Sequence, residues 1–361
     1  MSGPGTAAPG FLRRGGWVIV GVLALATVAF AAYAVRLVRH RAHPIGDGRR
    51  VESYGFALAP CLVPRDLLAA SGLPKDGLAA LDEPPEWPAA RAEAARVGYG
   101  KFLVPGDRVV GVRLGGAARA YPLRMLVWHG VANDTLGGVP IAVTYDPLCD
   151  SAVAFRRELG GRRVRFGVSG LLFDSNLLLY DRRASPEHES LWSQLLARAV
   201  TGPAAAAGAV LEVLPISVET WAAWLHEHPD TTVPAPAPAM AAKYASDPFT
   251  TYAGSDELRF PVRPLPAPPA YPLKTPLVAI GGPRGWTAFP FPALAAAPAA
   301  TGGTAATAAL AASLSYRPDG PTVAVNTDAL PAGAGVVYAS YFAWFATHSA
   351  DTTWPAERRA R

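Results

Sequence analysis

The chain reads as an α+β protein that is mainly β: two tandem, divergent β-rich repeats with short helices, preceded by one N-terminal transmembrane helix. Three observations predict this. Apolar and polar residues alternate around Gly-Gly and similar turn pairs, as in "VVGVRLGGAARAYPL" (residues 109–123), which is the pattern of a β-hairpin. A single uncharged apolar run stands near the N-terminus. Two stretches of the first half recur in the second half in the same order.

The apolar run "GGWVIVGVLALATVAFAAYAV", residues 15–35, follows a short tail (residues 1–14) and is flanked by Arg13, Arg14, Arg36, Arg39 and Arg41. About twenty apolar residues match the hydrocarbon thickness of a bilayer, and Trp17 and Tyr33 sit where interface anchors belong. A cleaved signal peptide is the competing reading, since "AFA" and "AYA" resemble cleavage sites. The length of the run favours a retained single-pass anchor. More arginine follows the run than precedes it, which by charge bias alone would place the body in the cytoplasm.

A polar, basic linker (residues 36–53) leads into a first β-rich repeat, residues 54–235. Its opening pieces, "GLPKDG" and "DEPPEWP", are turn-rich, with helices expected between them. Hairpins follow at Gly115-Gly116 and Gly160-Gly161. "LRMLVWHGVAND" reads as a short helix or as a strand turning at Asn133-Asp134, and "SNLLLYDRR" is a strand. "SLWSQLLARAV" is helix-like, with Leu191, Leu195 and Leu196 on one face. The proline-rich "VPAPAPAMAAKYASDPF" is a connector to the second, degenerate repeat, residues 236–361. There "LVAIGGPRGWTAFPF" echoes residues 109–123, and "YFAWFATHSADTTW" echoes "WAAWLHEHPDTTV". The Ala-rich stretch at 294–313 reads as a loose insertion.

Half of the 361 residues are apolar and the net charge is +5, so a core is assured. No basic stripe interleaved with aromatics points to a nucleic-acid partner. Cys61 and Cys149 are too few for a disulfide framework or a zinc ribbon, and one bridge between them is the single pairing open to an exported body.

Chemistry gathers around "VTYDPLCDSA". Met125 and His129 share a face if a helix runs through both. With Cys149 and Asp146 they make a sulfur, imidazole and carboxylate set of the kind copper or zinc accepts. Core packing of Met125 and Cys149 is the plainer alternative. As a catalytic reading, Cys149 would be the nucleophile and His129 its base, oriented by Asn133 or Asp134. The neighbouring Asp146 and Asp150 oppose thiolate formation. A separate polar group, Asn176, Asp181, Arg182, Trp192 and Gln194, could surround a small ligand. "FGVSG" lacks the first glycine of a nucleophile elbow, and His226 and His228 read as surface.

The run from "ARAYPLRMLVWHGVANDTLGGVPIAVTYDPLCDSAVAF" through "RFGVSGLLFDSNLLLYDR", "SLWSQLLARAVTGP", "TWAAWLHEHPDTTV" and "DPFTTYAGSDELRFPV" resembles the domain of unknown function 3179 family. The resemblance implies no reaction, but it implies an exported or membrane-anchored body, which turns the expected orientation to the extracytoplasmic side. The family commonly carries Tyr-Cys-Pro-Leu-Cys where this chain has Tyr145-Asp146-Pro147-Leu148-Cys149. It commonly carries His-Glu where this chain has His129-Gly130. A Cys-x-x-Cys pair can cycle as a dithiol or hold a soft metal; here half of it is replaced. The sequence thus predicts a membrane-anchored binding or accessory module. A thiol- or metal-dependent enzyme using Cys149 and His129 is the alternative.

Overall fold

The computed structural model describes residues 22–28, 45–97, 100–183, 185–296 and 305–354. Residues 1–14, most of 15–35 and the linker up to residue 44 lie outside these. Residues 22–28 are helical, and among the described residues no helix is long and apolar enough to cross a membrane. The described residues from 45 onward form one compact unit, so folded structure starts ahead of the Tyr54 boundary that composition suggests.

The unit is mainly β, with three large sheets and short helices. Alternation along Val139–Asp146 shows how they stack. Ile141, Val143 and Tyr145 pack in one core cluster, with Val110, Val112 and Tyr121. Ala142 packs in another, with Phe166, Leu179 and Trp192. Because side chains alternate across a strand, the sheet containing Val139–Asp146 is a middle layer with a core on each face. Such a strand is apolar at nearly every position, and this one is buried at seven of its eight residues. Fully burying one such side chain is worth about 1.5–3 kcal/mol.

The middle sheet has eight strands, in the order Leu81–Asp82, Val131–Leu136, Val139–Asp146, Ser151–Arg156, Gly335–Ser340, Pro276–Gly282, Gly285–Pro290 and Thr352–Thr353. One neighbouring sheet has five antiparallel strands: Leu68–Ala70, Phe166–Phe173, Asn176–Asp181, Leu191–Ser193 and Arg198–Thr201. The other has seven: Leu314–Arg317, Thr322–Val325, Ser217–Thr220, Arg108–Leu114, Ala117–Pro122, Thr232–Pro234 and Glu86–Pro88. The eight- and seven-stranded sheets each draw strands from both sides of residue 235.

Part of the strand order occurs twice. The hairpin Arg108–Leu114/Ala117–Pro122 is flanked by Ser217–Thr220, antiparallel, and by Thr232–Pro234, parallel. The helix Trp221–Glu227 joins those two flanking strands. The hairpin Pro276–Gly282/Gly285–Pro290 is flanked in the same senses by Gly335–Ser340 and Thr352–Thr353, which Tyr341–His348 joins.

Several local expectations change. Asn133 and Asp134 lie inside the strand Val131–Leu136. Its turn falls instead at Gly137-Gly138, both at positive φ, as a two-residue hairpin turn requires. "SLWSQLLARAV" is a hairpin, not a helix: Trp192 pairs with Ala199, and Ala197 takes φ 50° in the turn. Within the Ala-rich stretch, Ala305–Ala311 is a helix. Between 54 and 95 the one α-helix among the described residues is Ala89–Ala94; the rest is irregular chain with short 3-10 turns and three short strands.

Candidate functional site

Val139–Asp146 sends Thr144 and Asp146 to the same face as Ala142, toward the five-stranded sheet. That sheet delivers Asn176 at the start of a strand, just after the Asp174-Ser175 turn, whose residues have φ 48° and 65°. It also delivers Gln194, in the turn after Leu191–Ser193. These residues meet in a buried polar network. Asn176 Nδ2 lies 3.1 Å from Asp146 Oδ2, 3.1 Å from Ser151 Oγ and 2.8 Å from Gln194 Oε1. Ser151 Oγ donates to Gln194 Oε1 at 2.6 Å, and Gln194 Nε2 donates to Thr144 Oγ1 at 2.9 Å. Asp146 also accepts the backbone N–H groups of Leu148 and Leu177, at 2.9 and 2.8 Å.

Burial pushes the Asp146 carboxyl up to about 6, against the lowering by its hydrogen bonds from Leu148, Leu177 and Asn176. Asp146 lines a cavity of about 480 Å³ whose walls are mainly apolar: Leu78, Val168, Leu172, Leu177 and Phe260 are among them. At the rim Arg259 is exposed. Its guanidinium sits 4.6 Å over the Tyr252 ring and 5.9 Å over Phe249, and no carboxylate among the described residues forms an ion pair with it. The cavity therefore offers an apolar volume, one carboxylate already satisfied by the protein, and one guanidinium without an acceptor.

Of the residues singled out for metal or thiol chemistry, Asp146 and Cys149 lie side by side, whereas Met125 and His129 are held elsewhere. The helix Leu123–Leu126 ends before His129, so Met125 and His129 never share a helical face. Met125 packs among Phe102, Trp221 and Trp224. His129 is buried with both ring nitrogens bonded, Nδ1 to the Ala79 carbonyl and Nε2 to the Tyr244 hydroxyl, each at 2.6 Å. A carbonyl only accepts, so Nδ1 carries the hydrogen and Nε2 accepts from Tyr244. Burial holds the His129 pKa below its ordinary value, which keeps the ring neutral. Cys149 lies with Ala142, Phe166 and Trp192 in the core facing the five-stranded sheet, its Sγ 3.4 Å from the Ser175 carbonyl. Burial, then the charge of Asp146, push its pKa well up. Among the described residues no group of three or more His, Cys, Asp or Glu could hold a metal ion.

Asn133 and Asp134, considered as orienters, are occupied elsewhere. Asn133 bonds the Phe166 backbone and Asp82. Asp134 accepts from Arg119 Nη1 at 2.5 Å and from the Tyr121 hydroxyl at 2.7 Å. Cys61 and Cys149 are free thiols, and Cys61 Sγ bonds the Val63 carbonyl.

Of the five residues expected around a ligand, Asn176 and Gln194 join the network with Asp146. Asp181 is taken by Arg183 and the Ser190 N–H. Arg182 pairs with Asp76 and Asp82. Trp192 packs edge-to-face on Phe166 at 5.7 Å. Ser169 of "FGVSG" is inside a strand, its hydroxyl bonded to the Leu178 carbonyl. Sequence reading missed Thr144, Ser151 and Arg259. The first two carry a faint signal, as hydroxyls in otherwise apolar strands; Arg259 carries none.

Fold and site together define a mainly β body with an apolar cavity beside a buried polar network. The chain belongs to the family described as protein of unknown function (DUF3179), which it matches over residues 75–356. Comparisons with curated proteins and with solved structures gave no match.

Proposed function

We propose that this body is a binding module. Its ligand is a small molecule with an apolar body, held in the cavity beside Asp146, and an acidic end that meets Arg259. The observation that carries the reading is the imbalance of polar groups around an apolar volume of about 480 Å³. Asp146 is satisfied by Leu148, Leu177 and Asn176, whereas Arg259 has only ring faces. Concave, mainly apolar sites with few polar groups are the usual form of small-ligand sites. The uncharged run at residues 15–35 supports a single-pass tether to a membrane. The family supports a body on the extracytoplasmic side. The twice-used strand order supports reading the two hairpin-and-helix units as divergent copies.

The test is titration of the full chain in lipid nanodiscs with N-phenyl-1-naphthylamine, a neutral apolar fluorophore. A saturable signal above the lipid background is expected in the wild type and is expected to vanish in Leu78→Trp, which fills the cavity. Matching titration curves from two equally folded proteins would remove the proposal.

A further inference from the structure

A second concavity, of about 500 Å³, lies on the seven-stranded sheet and shares no wall residue with the first. Val110, Val112, Val218 and Val323 face the middle sheet. The alternate positions on the same strands face the other way, among them Gly111, Ser217, Glu219 and Ala324. Small residues on neighbouring strands leave a hollow there. Trp224, from the helix Trp221–Glu227, closes one side. Gly111 is what lets it do so: a Cβ at that position would come within 2.1 Å of the indole.

The charges around this hollow do not balance. Arg113 pairs with Asp328 at 2.7 Å, and Arg317 is committed to Glu227. That leaves Glu219, whose side chain is only 1 % exposed. Its Oε1 accepts the Ser217 hydroxyl at 2.8 Å. Its Oε2 has no hydrogen-bond partner among the described residues, and the nearest cation is the already shared Arg317, at 3.5 Å. The remaining titratable wall residue, His228, rests on Trp224 with ring centroids 4.0 Å apart. Burial lowers its pKa, so it adds no compensating charge at neutral pH. A buried carboxylate oxygen without a donor is costly, and the residue that carries it lines an open hollow.

We propose that this cleft binds a small organic cation, a primary ammonium that donates to Glu219 Oε2 while its carbon chain rests on the Gly111 and Ala324 floor. Three carboxylates against two guanidiniums give the cleft the sign for a cation. The two guanidiniums in the same walls, and the single free oxygen, disfavour a bare divalent metal, which needs several oxygen ligands.

The experiment titrates the isotopically labelled full chain with n-butylamine and, separately, n-butanol, following the Trp224 indole N–H resonance. That group is fixed by its bond to Thr231 Oγ1 at 2.8 Å, and its signal is assigned with Trp224→Phe. Butylamine should shift it saturably, with butanol at least tenfold weaker. In Glu219→Gln, which keeps the shape and the Ser217 contact, affinity for butylamine should fall at least tenfold. Equal responses to amine and alcohol, no saturable response, or a response that survives Glu219→Gln in a folded protein would each overturn the assignment. If Glu219→Gln does not fold, the wild-type comparison of amine with alcohol still decides.

Discussion

Asn176 and Asp146, 30 residues apart in sequence, meet in the interior with Asn176 Nδ2 3.1 Å from Asp146 Oδ2. This contact ties the five-stranded sheet to the middle sheet at the wall of the apolar cavity. Because Gln194, Ser151 and Thr144 continue it, a change at Asp146 is felt by groups on both sheets.

Asp146→Asn tests this junction. One amide face must oppose a backbone N–H of Leu148 or Leu177, and such a mismatch costs about 1–3 kcal/mol. The pH dependence has a definite sign. A carboxyl raised from 3.8 to about 6 favours the protonated form in the fold, so stability falls as pH rises from about 4 to about 6. The loss is on the order of 3 kcal/mol. Melting temperatures of wild type and Asp146→Asn at pH 4.5 and 7 should differ more at the lower pH. A gap that does not change with pH would show that the carboxyl does not titrate in this window.

Tyr244→Phe leaves His129 Nε2 buried without a donor and should cost about 1–3 kcal/mol. His129 titrates with the opposite sign to Asp146. Its folded pKa is depressed, so its contribution is present above the usual 6.5 and is lost as pH falls below it. Chemical denaturation at pH 8 measures the loss, and an unchanged midpoint would mean the hydroxyl does not satisfy the ring.

Cys149 should react with a thiol reagent only as fast as the protein opens, because the thiol is fully buried and its pKa is raised. The half-buried Cys61 serves as the internal comparison, with Cys61→Ala isolating the slow group. Rapid labelling of Cys149 under native conditions would contradict the placement described.

Arg259→Ala bears on the ligand's acidic end. In displacement of the naphthylamine probe, decanoate should outcompete decanol in the wild type, and the preference should drop at least tenfold in the variant. A preference kept without Arg259 would place the acidic end elsewhere.

Gly111→Ala should cost about 1–3 kcal/mol by overpacking against Trp224, with part regained in the Gly111→Ala, Trp224→Leu double variant. A neutral Gly111→Ala would mean the indole has room to move.

Much of the β architecture is legible in the chain because local signals suffice for it. Gly115-Gly116 and Gly160-Gly161 turn where expected, and Asn176–Asp181 is the expected strand. "SLWSQLLARAV" misleads because its leucine spacing suits a helix, while Trp192 gains its place by pairing across to Ala199 and packing on Phe166. Tertiary pairing overrides periodicity there. At the site, Asp146, Asn176 and Gln194 all stand out as residues, but as parts of different groups. What joins them is a sheet-to-sheet contact, which no spacing encodes. The cavity itself draws on residues from Ser71 to Phe260, and only the fold assembles it.

Gly335–Ser340 lies between Ser151–Arg156 and Pro276–Gly282 in the middle sheet. During synthesis both neighbours emerge long before it. Until it inserts, each presents an unpaired edge of the kind that recruits other chains. Completion of the middle layer therefore waits for a strand made well after both of its neighbours, and two open edges stand unpaired until it arrives.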